Sequence, residues 1–193
     1  MGLGRLWMST ALLSALAQAP APDPHAHHRH AAPTQVEGGW VRYQHKTAGF
    51  SLEHPAEWTV VSEKATVSIH IAHPTKAVHL FASAFTMSEG TLQDFAQMKF
   101  GVQSELFKPL GAPRSMDGVG WNGLLQDAEA TEGVERARRR MLCAQHGTLY
   151  VSLALYVDPK ELAGSEAVYD RVFTSLRFGE GPAASGAPPA QPR

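Results

Sequence analysis

A single cysteine, Cys143, stands in the 193 residues. It excludes an intramolecular disulfide and every site built on a cysteine cluster, zinc or iron–sulfur. Nor is there an excess of basic charge. Lys and Arg total 17 against 18 Asp and Glu, a net charge of -1, which argues against a dedicated nucleic-acid binder. Past the first 17 residues there is no apolar run of about 18, so no membrane-spanning helix is expected in the mature chain. Catalytic signatures are missing as well: no Gly-x-Ser-x-Gly elbow, no His-Glu-x-x-His and no Walker-type phosphate loop occurs. Only scattered His, Ser and Asp would serve a hydrolase. The reading is therefore of a protein that is not an enzyme.

The first residues have the order of a secretory leader. Arg5 is followed by the short apolar stretch Leu6–Leu16 and by small residues. Of two Ala-x-Ala sites, the one ending at Ala19 would place Pro20 just after the cut, which suits a protease's extended site poorly. Cleavage is expected between Ala17 and Gln18, leaving a secreted or periplasmic protein. No cysteine lies near that site, so no lipid is expected on the new N-terminus. Residues 1–17 are thus assigned to a signal peptide and 18–39 to a disordered Pro/His-rich arm. Residues 40–178 form one domain, and 179–193 a Gly/Ala/Pro tail. The domain holds every aromatic residue except Trp7, and a chain of this size can bury one self-sufficient core.

Inside the domain, Trp40–Tyr43 and Phe50–Leu52 alternate apolar and polar residues around a turn at Lys46–Gly49, as in a hairpin. Pro55-Ala-Glu-Trp58 reads as a tight corner leading into Thr59–Val61. Runs at Thr66–His73 and Val78–Thr86 flank a turn at His73–Lys76, and Trp121–Ala128, Val134–Ala144 and Leu149–Val157 follow, with a turn at His146-Gly147. Thr91 with Asp94 makes a capping box. Phe95, Met98, Val102 and Leu106 then predict a helical apolar face ending before Pro109. A second helix is predicted from Ser165, with Val168, Val172, Phe173 and Leu176 together on one side. Two helices that must each bury a stripe against one sheet give an α+β protein. The expectation is a three-layer α/β/α sandwich around an antiparallel sheet of about six or seven strands.

The segment Gly49-Phe-Ser-Leu-Glu-His-Pro-Ala-Glu-Trp58 resembles the entry motif of PsbP-like domains, in which an aromatic-started strand runs into Pro-x-x-Trp. The closing Phe173-Thr-Ser-Leu-Arg-Phe178 is similar to that family's terminal element. The likeness covers about residues 49–178. The family includes bacterial relatives such as DcrB-like periplasmic proteins and mycobacterial-type exported lipoproteins, and a nuclear-import factor that binds the GTPase Ran shares its fold. The resemblance implies a mostly non-enzymatic role, as a photosystem accessory subunit or an exported protein of unknown role. Nothing in this chain points to a photosystem partner. The partner expected here is an unidentified envelope protein or a small ligand.

Three groups of residues carry candidate chemistry. His25, His27, His28 and His30 place four imidazoles within six residues, enough for Zn, Cu or Ni if the arm wraps an ion, or else a polar spacer. If Pro74–Ala77 is the hairpin loop, His79 pairs with Ala72. His70 then shares a face with His79, diagonally across the ladder and about 7–8 Å away at the backbone. That pair would need a third group to hold a metal, and otherwise consists of exposed surface histidines. Arg136, Arg138 and Arg140 alternate along one strand and would present a row of guanidinium groups to an acidic partner or anion. They would equally form a solvated face countered by Glu129 or Glu132. Cys143 shares its parity with Ala137 and Met141. It reads as a buried, inert thiol, the alternatives being a reactive thiol or a bridge between chains.

Overall fold

The computed structural model describes residues 34–36, 38–45, 47–64, 68–102, 104–131, 137–162 and 164–179. The expected leader, the histidines of the arm, Arg136 and all of the tail after Gly179 lie outside the described residues.

In chain order the elements begin with β1 (Thr34–Val36), β2 (Trp40–Gln44), β3 (Phe50–Pro55), β4 (Thr59–Lys64), β5 (Ser68–Ala72) and β6 (Val78–Thr86). Next come α1 (Leu92–Gly101), β7 (Phe107–Pro109), β8 (Arg114–Ser115), β9 (Asn122–Ala130), β10 (Arg138–His146) and β11 (Leu149–Val157). The chain closes with α2 (Pro159–Leu162), α3 (Glu166–Thr174) and β12 (Arg177–Phe178). The long strands form one antiparallel sheet in the order β4-β5-β6-β11-β10-β9-β7, with β8 also paired to β9. The first hairpin does not join it. β2 and β3 sit in a separate four-stranded sheet, β1-β2-β3-β12, whose last strand is the chain's C-terminal element. β1 pairs Thr34 with Arg42, so paired strand starts inside the stretch assigned to the arm, ahead of residue 40.

The period of two along each strand sorts the side chains of the large sheet into two faces. On one, Leu80, Ala82, Leu142, Val151, Leu153 and Leu155 pack with Tyr43, Phe50 and Leu52 of the small sheet and with Tyr169, Val172, Phe173 and Leu176 from the α3 region. The other face carries Met141, Cys143, Tyr150 and Ala154, which pack with Phe95 and Ala96 of α1. Both faces are therefore covered, and the fold is an α+β sandwich of three layers. Two motifs pin the corners. Trp58 is buried with its ring 6.4 Å from that of Tyr169, and Trp121 donates from its indole nitrogen to the Leu176 carbonyl at 3.0 Å. A Cβ at Gly118 would fall inside the Trp121 ring, so only glycine fits there.

Helix α1 begins as its sequence dictates: the Thr91 hydroxyl accepts from the Asp94 amide while the Asp94 carboxylate accepts from the Thr91 amide. It ends earlier than the apolar spacing predicts, at Gly101. Met98, Val102 and Leu106 face outward, at 52%, 52% and 42% exposure. The stripe that packs is Leu92, Phe95, Ala96 and Phe100, whose three- and four-residue spacing is equally helical. The rings of Tyr150 and Phe85, at 5.1 and 5.6 Å from Phe95, select it. Phe107–Pro109, expected as the end of that helix, is instead a short edge strand on β9.

Candidate functional site

Alternation on β10 puts Arg138 and Arg140 on the α3 side of the large sheet and Arg139 on the α1 side. Arg140 is held by two carboxylates, Asp127 on β9 and Asp170 on α3, each at 2.7 Å. Arg138 lies 3.6 Å from Glu129. The two arginines share a face and line a cleft of about 320 Å³ with Arg114, Asp127, Glu166 and Tyr169. Within that cleft acidic groups already answer the arginines. Arg136 lies outside the described residues.

Arg139 is the residue that the alternating-arginine pattern overlooks. It is 1% exposed, and its guanidinium donates to the Val102 carbonyl at 2.9 Å and the Phe100 carbonyl at 3.3 Å. It thus neutralises the negative end of α1 and lies 5.0 Å over the Phe107 ring. Its parity with Met141 and Cys143 was the available signal. Arg139 also marks where α1 stops covering the sheet.

Beyond that point the α1-side face is open. His70 on β5, His79 and Phe81 on β6, and Tyr156 on β11 line a shallow concavity of about 520 Å³. The register expected from the hairpin loop holds: Ala72 pairs with His79 and His70 with Phe81. The two histidines therefore sit diagonally on one face, and their rings meet, His70 Nε2 lying 3.1 Å from His79 Nδ1. The His70 ring stacks on Phe81 at 4.3 Å with planes 7° apart, and Phe81 meets the Tyr156 ring edge-on at 5.7 Å. Tyr156 in turn abuts Phe107 at 5.5 Å. The outcome is an aromatic row across four strands with Phe81 41% exposed. Burial, and then the neighbouring imidazole, hold His70 below the ordinary histidine value.

The other described histidines are committed to the fold. His45 Nδ1 accepts from the amides of Thr47 and Ala48, and His73 Nδ1 from those of Thr75 and Lys76. His54 donates to the Pro55 carbonyl, and His146 to the Gly120 carbonyl while stacking on Phe178. Cys143 is fully buried, and burial pushes its thiol up to about 12 against the pull of Lys99 and Arg139. Such a thiol is protonated and a poor nucleophile at neutral pH. Among the described residues, no three His, Cys, Asp or Glu side chains gather as a metal site.

No protein-family model matches the chain, and neither does any curated protein sequence. Solved structures do. PsbP (CyanoP) from Synechocystis sp. PCC 6803 superposes with a TM-score of 0.61 at 11% identity, covering 77% of this chain and 97% of its own. LpqN of Mycobacterium tuberculosis, described as involved in cell envelope biogenesis, gives 0.54 at 12% identity over 72% of this chain and 90% of its own. A structure from Bacteroides thetaiotaomicron VPI-5482 gives 0.53 at 13% identity, with 74% of this chain matched to 49% of that one. The fold of this chain is PsbP-like, as the Gly49–Trp58 and Phe173–Phe178 segments implied. No helix among the described residues is long and apolar enough to cross a membrane.

Proposed function

We propose that this chain is an exported, non-catalytic binding or accessory protein of the cell envelope. The observation that carries the reading is the fold, shared over nearly the whole length of CyanoP and of LpqN. The leader-like residues 1–17 support export. The chemistry of the described residues supports binding over turnover: four of the six described histidines are engaged by backbone groups, and the cysteine is a buried thiol. The test is an epitope-tagged full chain expressed in its host, fractionated, and cross-linked in intact cells. The tagged protein is expected in the envelope or medium, starting at Gln18, in a discrete cross-linked complex. A cytoplasmic protein retaining residues 1–17 would overturn the reading, as would turnover of generic ester, phosphate or glycoside substrates.

A second reading, metal handling by His25, His27, His28 and His30, is favoured by their spacing, since four imidazoles in six residues can wrap one Zn, Cu or Ni ion. Calorimetry on the intact chain and on a chain with those four histidines replaced by alanine separates the two. Binding that depends on the arm supports metal handling.

A further inference from the structure

We propose a second, separate metal site on the open face of the large sheet, in which His70 Nε2 and His79 Nδ1 bind one divalent transition ion, Cu²⁺ in preference to Zn²⁺. This goes beyond the envelope-binding reading and does not depend on it.

The distance is the first argument. Imidazole nitrogens bind such ions at about 2.0–2.1 Å, so two of them on one ion lie about 2.9 Å apart at a right angle and about 3.3 Å apart at the tetrahedral angle. The observed 3.1 Å falls between these limits. An ion can therefore take the place of the shared proton with the nitrogens at their present separation, the rings turning so that both lone pairs converge on it.

The two ligands are also held in place before any ion arrives. The register of β5 on β6 fixes the diagonal, with His70 opposite Phe81 and His79 opposite Ala72. Phe81 stacks flat on His70, and Tyr156 props Phe81 from the side. These rings hold one ligand in place much as outer-shell partners orient a metal-bound histidine.

Water on the open side supplies the third group that the two imidazoles need and completes the sphere, so the ion is exchangeable. Imidazole nitrogen suits Cu and Zn, and the general affinity order places Cu²⁺ above Zn²⁺. A carboxylate or thiolate site would have favoured other ions. Here the wall is aromatic.

The test uses the full chain with His25, His27, His28 and His30 changed to alanine, titrated with Cu²⁺ alone and then with Zn²⁺. Calorimetry and electron paramagnetic resonance read it. One equivalent of Cu²⁺ is expected, with coupling to two nitrogens, and Zn²⁺ binds more weakly. Adding His79→Asn, at an exposed position that leaves the core intact, should weaken Cu²⁺ by more than the roughly 10- to 100-fold that loss of an outer-shell partner costs. The melting temperature of that variant without metal should match its parent. Absence of Cu²⁺ binding in the arm-substituted chain, or equal binding after His79→Asn, overturns the site. Either result leaves the envelope-binding reading standing, since that one is decided by fractionation and cross-linking.

Discussion

Trp58→Ala should be among the most damaging single changes in this chain. Trp58 is the last residue of the Pro55 corner, its amide donating to the Pro55 carbonyl at 3.0 Å. Its indole is buried in the main core beside Tyr169. A buried indole removes roughly 150–250 Å² from water, which at about 25 cal/mol/Å² corresponds to about 4–6 kcal/mol. A compact unfolded state lowers that figure, and measured aromatic-to-alanine truncations cost about 3–5 kcal/mol. The expected loss is therefore about 3–5 kcal/mol, a large share of the roughly 5–15 kcal/mol that stabilises an ordinary domain. At about 3–4 °C per kcal/mol for a domain of this size, the melting temperature should fall by about 9–20 °C. Urea denaturation followed by circular dichroism gives the free energy, and Trp58→Phe, which keeps a ring against Tyr169, should fall between wild type and alanine. A loss under about 1 kcal/mol would refute the reasoning, because only an exposed side chain is that cheap to remove.

The remaining predictions concern charge, the thiol and the helix boundary. Glu53 is buried between Arg42 at 2.6 Å and Arg171 at 3.0 Å; burial alone would raise its carboxyl, but the hydrogen bonds from both arginines overcome this and hold it below the ordinary value of 4.5. Its contribution is thus present above pH 4.5 and lost as pH falls through the lower folded-state value. Glu53→Gln should cost about 1–2 kcal/mol at pH 7, less than a fully buried pair since both guanidinium groups are partly in water, and should flatten acid unfolding below pH 4.5 as read by fluorescence. Cys143 should not react with an aromatic disulfide reagent at pH 8 until urea unfolds the chain; rapid native labelling would contradict its burial. Met98→Lys and Leu106→Lys should each change stability by less than about 0.5 kcal/mol, whereas Phe95→Ala should cost about 3–5 kcal/mol; denaturation curves in which Met98→Lys is the costlier would return α1 to the face its spacing first suggested.

Much of the fold could be read before any coordinates, and the reasons differ by element. The Thr91–Asp94 box and the His73–Lys76 turn are local chemistry, so the start of α1 and the register of β5 on β6 were legible, and with them the diagonal of His70 and His79. What could not be read depends on partners far along the chain. Phe95 belongs to two equally helical stripes, and Tyr150 on β11 and Phe85 on β6 decide between them. β7, β8 and β12 are two or three residues long, too short to show a period. The aromatic row joins residues from β5, β6, β7 and β11, so Phe81, Tyr156 and Phe107 had no common signal in the sequence. Arg139 is the instructive case. Its neighbours Arg138 and Arg140 point to one side and suggested a solvated strand, while its own parity with Met141 and Cys143 placed it in the opposite layer, under the end of a helix.

Export and binding stand or fall most directly on where the mature chain resides and what it touches there. N-terminal sequencing and cross-linking of the tagged protein from intact cells should give a chain beginning at Gln18, outside the cytoplasm, joined to a discrete envelope component. A chain beginning at Met1 in the cytoplasm, joined to nothing, would contradict the account.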